Sequence, residues 1–287
     1  STFVGASDSA TNGEVVLLPT IREEFSGATL PSGWASTANV TGGTSSVSGG
    51  ALRPDGARAG TTATYAPSRS LEFVGTLTST AGQHIGFGTD FVNAPWAMFS
   101  TGGSGLSAGL YARSRTTTAT RNTTITGISP SQPHRYRIVW NTTSITFFID
   151  GVQVASQASA ITSSMRPLAG DPALGGSNPA LWWLRMSPYA TSGTYTSRVI
   201  DGGTAPVTWQ TLAATQTAPS GTTVTVQTRS GGTATPDASW SAWTNLGTGG
   251  AISSPGARYL QYRATMTTTS TLTSPAFEAA TVTYRSG

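Results

Sequence analysis

The residues best suited to chemistry lie in a segment where large and small side chains alternate. Tyr111, Arg113 and Arg115 alternate with Ala112 and Ser114, and the two-residue period of a β-strand places the three large side chains on one face. A tyrosine ring can stack on the C–H face of a sugar, and arginine donates paired hydrogen bonds to carboxylates. The segment favours a sugar-binding groove; the alternative is an ordinary solvated strand face.

Tryptophans are the next candidates for stacking on a sugar. Trp34 follows a Pro-Ser-Gly turn and is expected in a loop, whereas Trp96 follows an Asn-Ala-Pro turn. Trp182 and Trp183 are neighbours, so one faces each side of a strand, and we expect Trp182 to be exposed. The alternative for each is core packing, which takes most tryptophans in sandwiches.

Composition indicates an all-β protein and excludes several functions. The 287 residues include 34 Gly, 16 Pro and no Cys, and only 10% are charged. The absence of cysteine excludes disulfides, thiolate metal sites and cysteine nucleophiles. The net charge of +4 comes from dispersed arginines, without the basic stripe and motif that nucleic-acid binding requires. No run of 18 apolar residues is present, so we predict no membrane insertion.

Turn residues divide the chain into short strands. Arg135–Trp140 and Ser144–Ile149 alternate polar and apolar residues, and Asp150-Gly151 before Val152–Ser156 is a strong hairpin signal. We predict a linker or tail over residues 1–13, a β-sandwich over 14–190 and a smaller β-sandwich over 191–287. A Thr- and Ser-rich chain that begins at Ser1 is expected to be secreted or on the cell surface, after signal cleavage or as an excised piece.

Several segments resemble concanavalin A-like lectin/glucanase domains, a group that includes laminarin-type glycoside hydrolases, laminin G-like modules and jelly-roll polysaccharide lyases. The resemblance covers about residues 21–189 and rests on His134–Trp140, Ile145–Val152, Glu24–Gly27, Gly49–Leu52 and Trp183–Met186. It implies a concanavalin A-like jelly roll, a fold that hosts lectins, hydrolases and lyases alike. Trp240–Trp243 and Arg258–Arg263 are similar to accessory β-sandwich modules of secreted actinobacterial carbohydrate-active proteins.

The chain departs from the catalytic pattern of the hydrolases in this group. Family 16 glycoside hydrolases carry an acidic strand of the form E-[ILV]-D-x-x-E, and retaining hydrolysis needs two carboxyl groups about 5–5.5 Å apart. Leu106–Arg115, where that strand is expected, contains no acid. We therefore lean against an enzyme, while an inverting pair of acids from different strands stays open.

A resemblance to jelly-roll alginate lyases supplies an alternative. Gln83-His84 resembles their Gln-x-His element with its order altered. The resemblance implies His84 and Tyr111 as base and acid, with arginine and glutamine neutralising a uronate. The candidate set is Arg69, Glu72, Gln83, His84, Tyr111 and Arg113. The other histidine, His134, opens a strand and is expected to be structural.

Folds of this group often carry a structural calcium near the first and last strands. Glu23 or Glu24 would contribute at one end, whereas Leu181 stands where an acid is expected at the other.

The main hypothesis is a lectin-like polysaccharide-binding protein without cofactor. Its groove would be lined by Trp34, Trp96, Tyr111, Arg113, Arg115 and Trp182. The alternatives are a polysaccharide-degrading enzyme, either a lyase or an atypical hydrolase, and a structural or adhesive surface module.

Overall fold

The structure is a computed structural model that describes residues 3–6, 13–103, 105–203 and 207–286. These residues form 24 β-strands and one 3-10 helix, Thr248–Gly250. The all-β class expected from the composition is therefore confirmed. No helix in the described part of the chain is both long and apolar enough to cross a membrane.

The chain folds as two compact units. Described residues 20–188 form the jelly-roll unit, and residues 3–6, 13–19 and 189–286 form the second unit. The boundaries predicted from the sequence are corrected at the N-terminus. Glu14–Leu17 pairs with a strand near the C-terminus, and Phe3–Ala6 pairs with Glu14–Leu17. Leu17 packs in the core of the second unit, so this N-terminal segment belongs to that unit and not to the jelly roll. The rest of the expected tail, residues 1–2 and 7–12, lies outside the described residues.

The jelly-roll unit consists of two antiparallel sheets. The seven-stranded sheet runs in the order β12 (Thr120–Ile125), β11 (Leu110–Arg115), β10 (Trp96–Ser100), β9 (His84–Gly88), β16 (Arg166–Gly170), β7 (Ala57–Thr61) and β4 (Trp34–Ala38). The eight-stranded sheet runs in the order β15 (Val152–Gln157), β14 (Ile145–Ile149), β13 (His134–Trp140), β8 (Arg69–Thr76), β17 (Ala180–Met186), β6 (Ala51–Asp55) and β5 (Thr44–Ser48), with β3 (Ile21–Glu23) beside β17. This arrangement agrees with the jelly roll expected from the resemblance.

Alternating side chains build the core between these sheets. On β13, Tyr136, Ile138 and Trp140 are buried, and the Trp140 indole nitrogen donates a hydrogen bond of 2.9 Å to the Ile161 carbonyl. The hairpin predicted between β14 and β15 is present. Its Asp150-Gly151 turn has φ of 50° and 80°, the left-handed values that a type I′ turn requires. Local turn chemistry therefore sets the register of this part of the sheet.

The second unit also has two sheets. One runs in the order β1 (Phe3–Ala6), β2 (Glu14–Leu17), β24 (Ala276–Ser286) and β20 (Val207–Thr217). The other runs in the order β18 (Ser192–Thr196), β23 (Tyr259–Thr268), β21 (Thr222–Gly231) and β22 (Thr244–Asn245), with β19 (Ile200–Asp201) beside β23.

The Trp240–Trp243 segment of the second unit is held by stacked guanidinium groups. The Arg229 guanidinium carbon lies 5.3 Å from the Trp240 ring centroid and 4.6 Å from that of Trp243. The Arg263 guanidinium carbon also lies 4.6 Å from the Trp243 centroid. These cation–π contacts fasten the segment to β21 and β23.

Candidate functional site

The candidate site lies on the outer face of the seven-stranded sheet. Ile85, Phe87 and Phe99 point inward to the core, so the alternate residues of β9, β10 and β11 point outward. The register places Arg58, Gly170, His84, Ser100 and Tyr111 in one row across five strands, as direct cross-strand partners on one face. Arg113 and Arg115 follow Tyr111 on the same face. The structure thus brings His84 together with the Tyr–Arg–Arg strand.

A cavity of about 290 Å³ opens on this face beside β7, β9 and β16. Its polar lining comprises Asn39, Arg58, His84, Asp90 and Asp171, and its apolar lining includes Phe91, Val92 and Pro172. Of the site residues predicted from the sequence, His84 alone lines this cavity. Arg58, Asn39, Asp90 and Phe91 were missed, because strand pairings between segments far apart in sequence bring them together.

His84 is held in its neutral form at this site. Burial, and then the charge of Arg113, lowers the pKa of His84 from 6.5 to about 3. Its Nδ1 is buried without a hydrogen bond of ordinary geometry to any described residue, and the nearby Gln83 backbone offsets part of the lowering of the pKa. A neutral imidazole that lines a cavity can accept a proton from a bound molecule.

Four arginines on this face form no close ion pair, although the charge of Asp90 acts on Arg58 and Arg166 at longer range. Arg58, Arg113, Arg115 and Arg166 form no ion pair among the described residues. Arg113 is only 4% exposed, and it donates to the Asn122 Oδ1 at 2.8 Å and to the Gly102 carbonyl at 3.1 Å. Burial, together with the charge of Arg58, lowers the pKa of Arg166. Guanidinium groups satisfied only by neutral acceptors favour an anionic ligand.

The two carboxylates of the cavity have opposite pKa shifts. Burial raises the pKa of Asp171. For Asp90, the hydrogen bonds from Asn93 and Val92 outweigh the effect of burial and lower the pKa. Each of the four carboxylate oxygens accepts at least one hydrogen bond. Asp90 accepts hydrogen bonds from Val92 N, Asn93 N and Asn93 Nδ2. Asp171 accepts hydrogen bonds from Ala173 N and Gln83 Nε2. Both aspartates therefore stabilise the walls of the cavity.

The tryptophans expected as sugar platforms do not present a ring face to this cavity. Trp34 lies in β4 rather than in a loop, and its side chain is buried. Its ring centroid is 5.3 Å from that of Phe25, and its indole nitrogen donates a hydrogen bond to Glu23. Trp96 is 3% exposed and has the Arg113 guanidinium carbon 5.1 Å from its centroid. Trp182 is partly exposed, but it lies in β17 of the other sheet. Trp34 therefore belongs to the core between the sheets, whereas Trp96 is covered on the outer face by Arg113.

The remaining lyase candidates are dispersed. Tyr111 is 8% exposed, and its hydroxyl donates to the Ser107 carbonyl at 3.1 Å, outside the cavity lining. Arg69 and Glu72 lie on β8 of the eight-stranded sheet. Gln83 is buried, and its Nε2 donates to Asp171 Oδ2 at 2.9 Å. The predicted catalytic set is therefore not assembled as one site.

The expected calcium ligands do not form a metal site from side chains. Glu23 is half buried beside Trp34, and burial raises the pKa of its carboxyl group. Within the part of the chain that the structure describes, no group of three or more His, Cys, Asp or Glu side chains could hold a metal ion. The side chains present therefore do not fit a calcium site.

Comparisons with known proteins find distant structural similarity to glycoside hydrolases. No family model and no curated protein matches the chain. A glycosyl hydrolase family protein from Mycobacterium fortuitum is 14% identical, covers 60% of this chain and 100% of its own, and has a TM-score of 0.46. The Bacillus licheniformis β-glucanase is 14% identical over 58% and 97%, with a TM-score of 0.42. The endo-β-1,3-glucanase from Pyrococcus furiosus is 12% identical over 63% and 97%, with a TM-score of 0.44. All three TM-scores are below 0.5, so the jelly roll rests on the sheet order of this chain and not on these similarities.

One expectation from the sequence is corrected by these comparisons. The missing acidic strand made us lean against an enzyme. The matching structures are described as glucanases and glycosyl hydrolases, and this finding contradicts that leaning. The absence of one catalytic motif does not argue against catalysis by other residues on this fold.

Proposed function

We propose that the jelly-roll unit binds and cleaves an anionic, uronate-containing polysaccharide at the cavity beside His84, outside the cell. The observation that carries the proposal is a neutral imidazole near two guanidinium groups, Arg58 and Arg113, that form no ion pair within 4 Å among the described residues. Such an arrangement suits β-elimination, in which a carboxylate is neutralised and the proton next to it is removed.

The step balances without an outside reagent. Arg58 binds the uronate carboxylate and makes the proton on C5 more acidic. The His84 imidazole takes that proton, and the C5–H electron pair forms the C4–C5 double bond. The bond between C4 and the glycosidic oxygen breaks, and the oxygen leaves with its electron pair. His84 then returns its proton to that oxygen and becomes neutral again, while the charge of Arg113 favours this return.

Hydrolysis by the two cavity aspartates is the competing reaction. Their opposite pKa shifts are the pattern of an acid and a base. However, every carboxylate oxygen already accepts a hydrogen bond from the surrounding protein. Protonation or nucleophilic attack by either aspartate would weaken the hydrogen bonds that hold the cavity wall, so elimination by His84 is favoured.

Product analysis distinguishes these reactions. The full chain is incubated with uronate polymers and with neutral glucans, and products are followed by ultraviolet absorbance and by a reducing-end assay. We expect uronate products that carry a double bond, and no product from neutral glucans. Saturated reducing ends would show hydrolysis and overturn elimination, and the absence of any product would overturn the enzymatic proposal.

Arg58 provides a test of carboxylate binding. In Arg58→Gln we expect kcat/KM on a uronate polymer to fall by about 10- to 100-fold, chiefly through KM, because a hydrogen bond to a charged group contributes about 1.5–3 kcal/mol. Steady-state kinetics measure the change. Arg53→Gln, on β6 of the eight-stranded sheet, is the matched control and should behave like the unaltered protein. An unchanged KM in Arg58→Gln would exclude this role.

A further inference from the structure

The turn between β9 and β10 places the Phe91 ring over the part of the outer face where the strands carry glycines. Gly88 and Gly170 have no side chains there, and the Phe91 ring occupies the space. A Cβ atom on Gly88 would lie 2.9 Å from Phe91 Cδ1, and one on Gly170 would lie 3.5 Å from Phe91 Cδ2. The Phe91 and His84 ring centroids are 5.6 Å apart. Phe91 is therefore a wall directly beside the proposed base.

Several contacts fix this wall. Asp90 Oδ1 accepts hydrogen bonds from Val92 N at 2.8 Å and Asn93 N at 2.7 Å. Arg166 Nε donates to the Thr89 carbonyl at 3.2 Å. Phe91 itself has φ of 64°, a left-handed conformation that is rare for a bulky residue and persists only where its surroundings enforce it. The position of the ring is thus built into the turn.

The wall divides the outer face of the sheet. The cavity with Arg58, Asn39 and His84 lies on one side, and Trp96 and Arg113 belong to the strands β10 and β11 on the other. The Phe91 ring over Gly170 and Gly88 lies in the path of a sugar chain that would run from Arg58 across the sheet. The volume of about 290 Å³ is also at the lower end of the range of about 300–1,000 Å³ typical of small-molecule sites.

We infer that this cavity is a dead-end pocket that takes the last sugar residue of a uronate chain at its reducing end. The inference rests on the proposed function. The uronate held by Arg58 is the residue whose bond at C4 breaks, so the rest of the chain leaves the pocket from C4. Its C1 end then faces the closed side. Each elimination releases one unsaturated uronate residue, by the electron and proton transfers given above.

The first test compares oligouronates that have a free reducing end with the same oligouronates reduced to the alditol. Binding is measured by calorimetry and cleavage by product size. We expect at least tenfold weaker binding and slower cleavage of the reduced oligomers, and a single-residue product from the free ones. Equal treatment of both, or early release of long fragments, would overturn the inference while leaving elimination intact. Failure of both to bind would overturn the inference and the proposed function together.

Removal of the wall provides the second test. In Phe91→Gly the ring is lost and the left-handed backbone is retained at low cost. We expect this variant to cleave internal bonds and to treat free and reduced oligomers within twofold of each other. Val152→Ala, at a 67% exposed side chain on β15 of the eight-stranded sheet, is the matched control and should keep the preference for free ends. A folded Phe91→Gly protein, checked by circular dichroism, that still discriminates at least tenfold would overturn the role of the wall.

Discussion

Replacing Glu72 by glutamine should lower the free energy of unfolding of the jelly-roll unit by about 3 kcal/mol. Glu72 Oε1 lies 2.8 Å from Arg135 Nε, and Oε2 lies 3.3 Å from Arg185 Nη2. The Arg185 side chain is only 2% exposed, and the Trp183 ring stacks on its guanidinium group at 4.4 Å. Glutamine keeps the shape but removes the negative charge that faces both guanidinium groups.

The same pair predicts a pH dependence. Burial alone would raise the pKa of Glu72, but the charges of Arg135 and Arg185 outweigh it and lower the pKa from 4.5 to about 2. A carboxyl group with a lowered pKa in the folded state stabilises the protein fully above its unfolded pKa. That contribution is lost as the pH falls from about 4.5 through about 2. Urea unfolding of both proteins from pH 7 to pH 2 should show their difference shrinking over this window.

The exposed ion pair of the second unit offers a contrast. Arg258 and Asp201 form a bidentate ion pair on the surface, in which Arg258 Nε and Nη2 each donate a hydrogen bond of 2.9 Å to one Asp201 carboxylate oxygen. Asp201→Asn should change the free energy of unfolding little, because solvent screens such pairs.

A Glu72→Gln protein as stable as the unaltered one at pH 7, or a difference in stability that does not depend on pH, would contradict the assignment of Glu72 as the counter-charge.

Local patterns were sufficient to predict part of the fold. The Asp150-Gly151 hairpin was found because its turn residues and alternating strands are adjacent in sequence. The cavity was not found, because Arg58 reaches His84 only through the pairing of β7, β16 and β9. Alternation predicts which residues share a face, whereas burial depends on the layers above and below.

The same limit explains the aromatic residues. Trp34 looked like a loop residue because it follows a turn, but it begins β4 and packs on Phe25. Trp96 was expected to be open, and the sequence gives no sign that the Arg113 guanidinium group stacks on it. Glu14–Leu17 was assigned to the adjacent domain because sequence order was the sole guide; its partner strand lies more than 250 residues away.

The proposed base provides the prediction with the largest expected effect on activity. His84→Ala and His84→Gln should each lower kcat on a uronate polymer by about 100-fold or more, because general base catalysis contributes about 10²–10⁴-fold. Binding of the polymer should change far less, since Arg58 remains. His134→Gln is the matched control. His134 bonds to Asp150 at 2.7 Å on the eight-stranded sheet, away from the cavity lining.

The acid side of the pH profile separates a base from a residue that merely fills space. A folded-state pKa of about 3 keeps His84 neutral, so the rate should stay level from pH 7 to pH 5, where an ordinary histidine with a pKa of 6.5 would become protonated. Arg113→Gln removes a charge that lowers this pKa, and the acid limb of kcat should move to higher pH. An unchanged limb in a folded Arg113→Gln protein, or a His84→Gln variant with full kcat, would show that the proton is taken by another group. The two variants together thus test whether Arg113 acts on the pKa of His84, in addition to any contact with the bound anion.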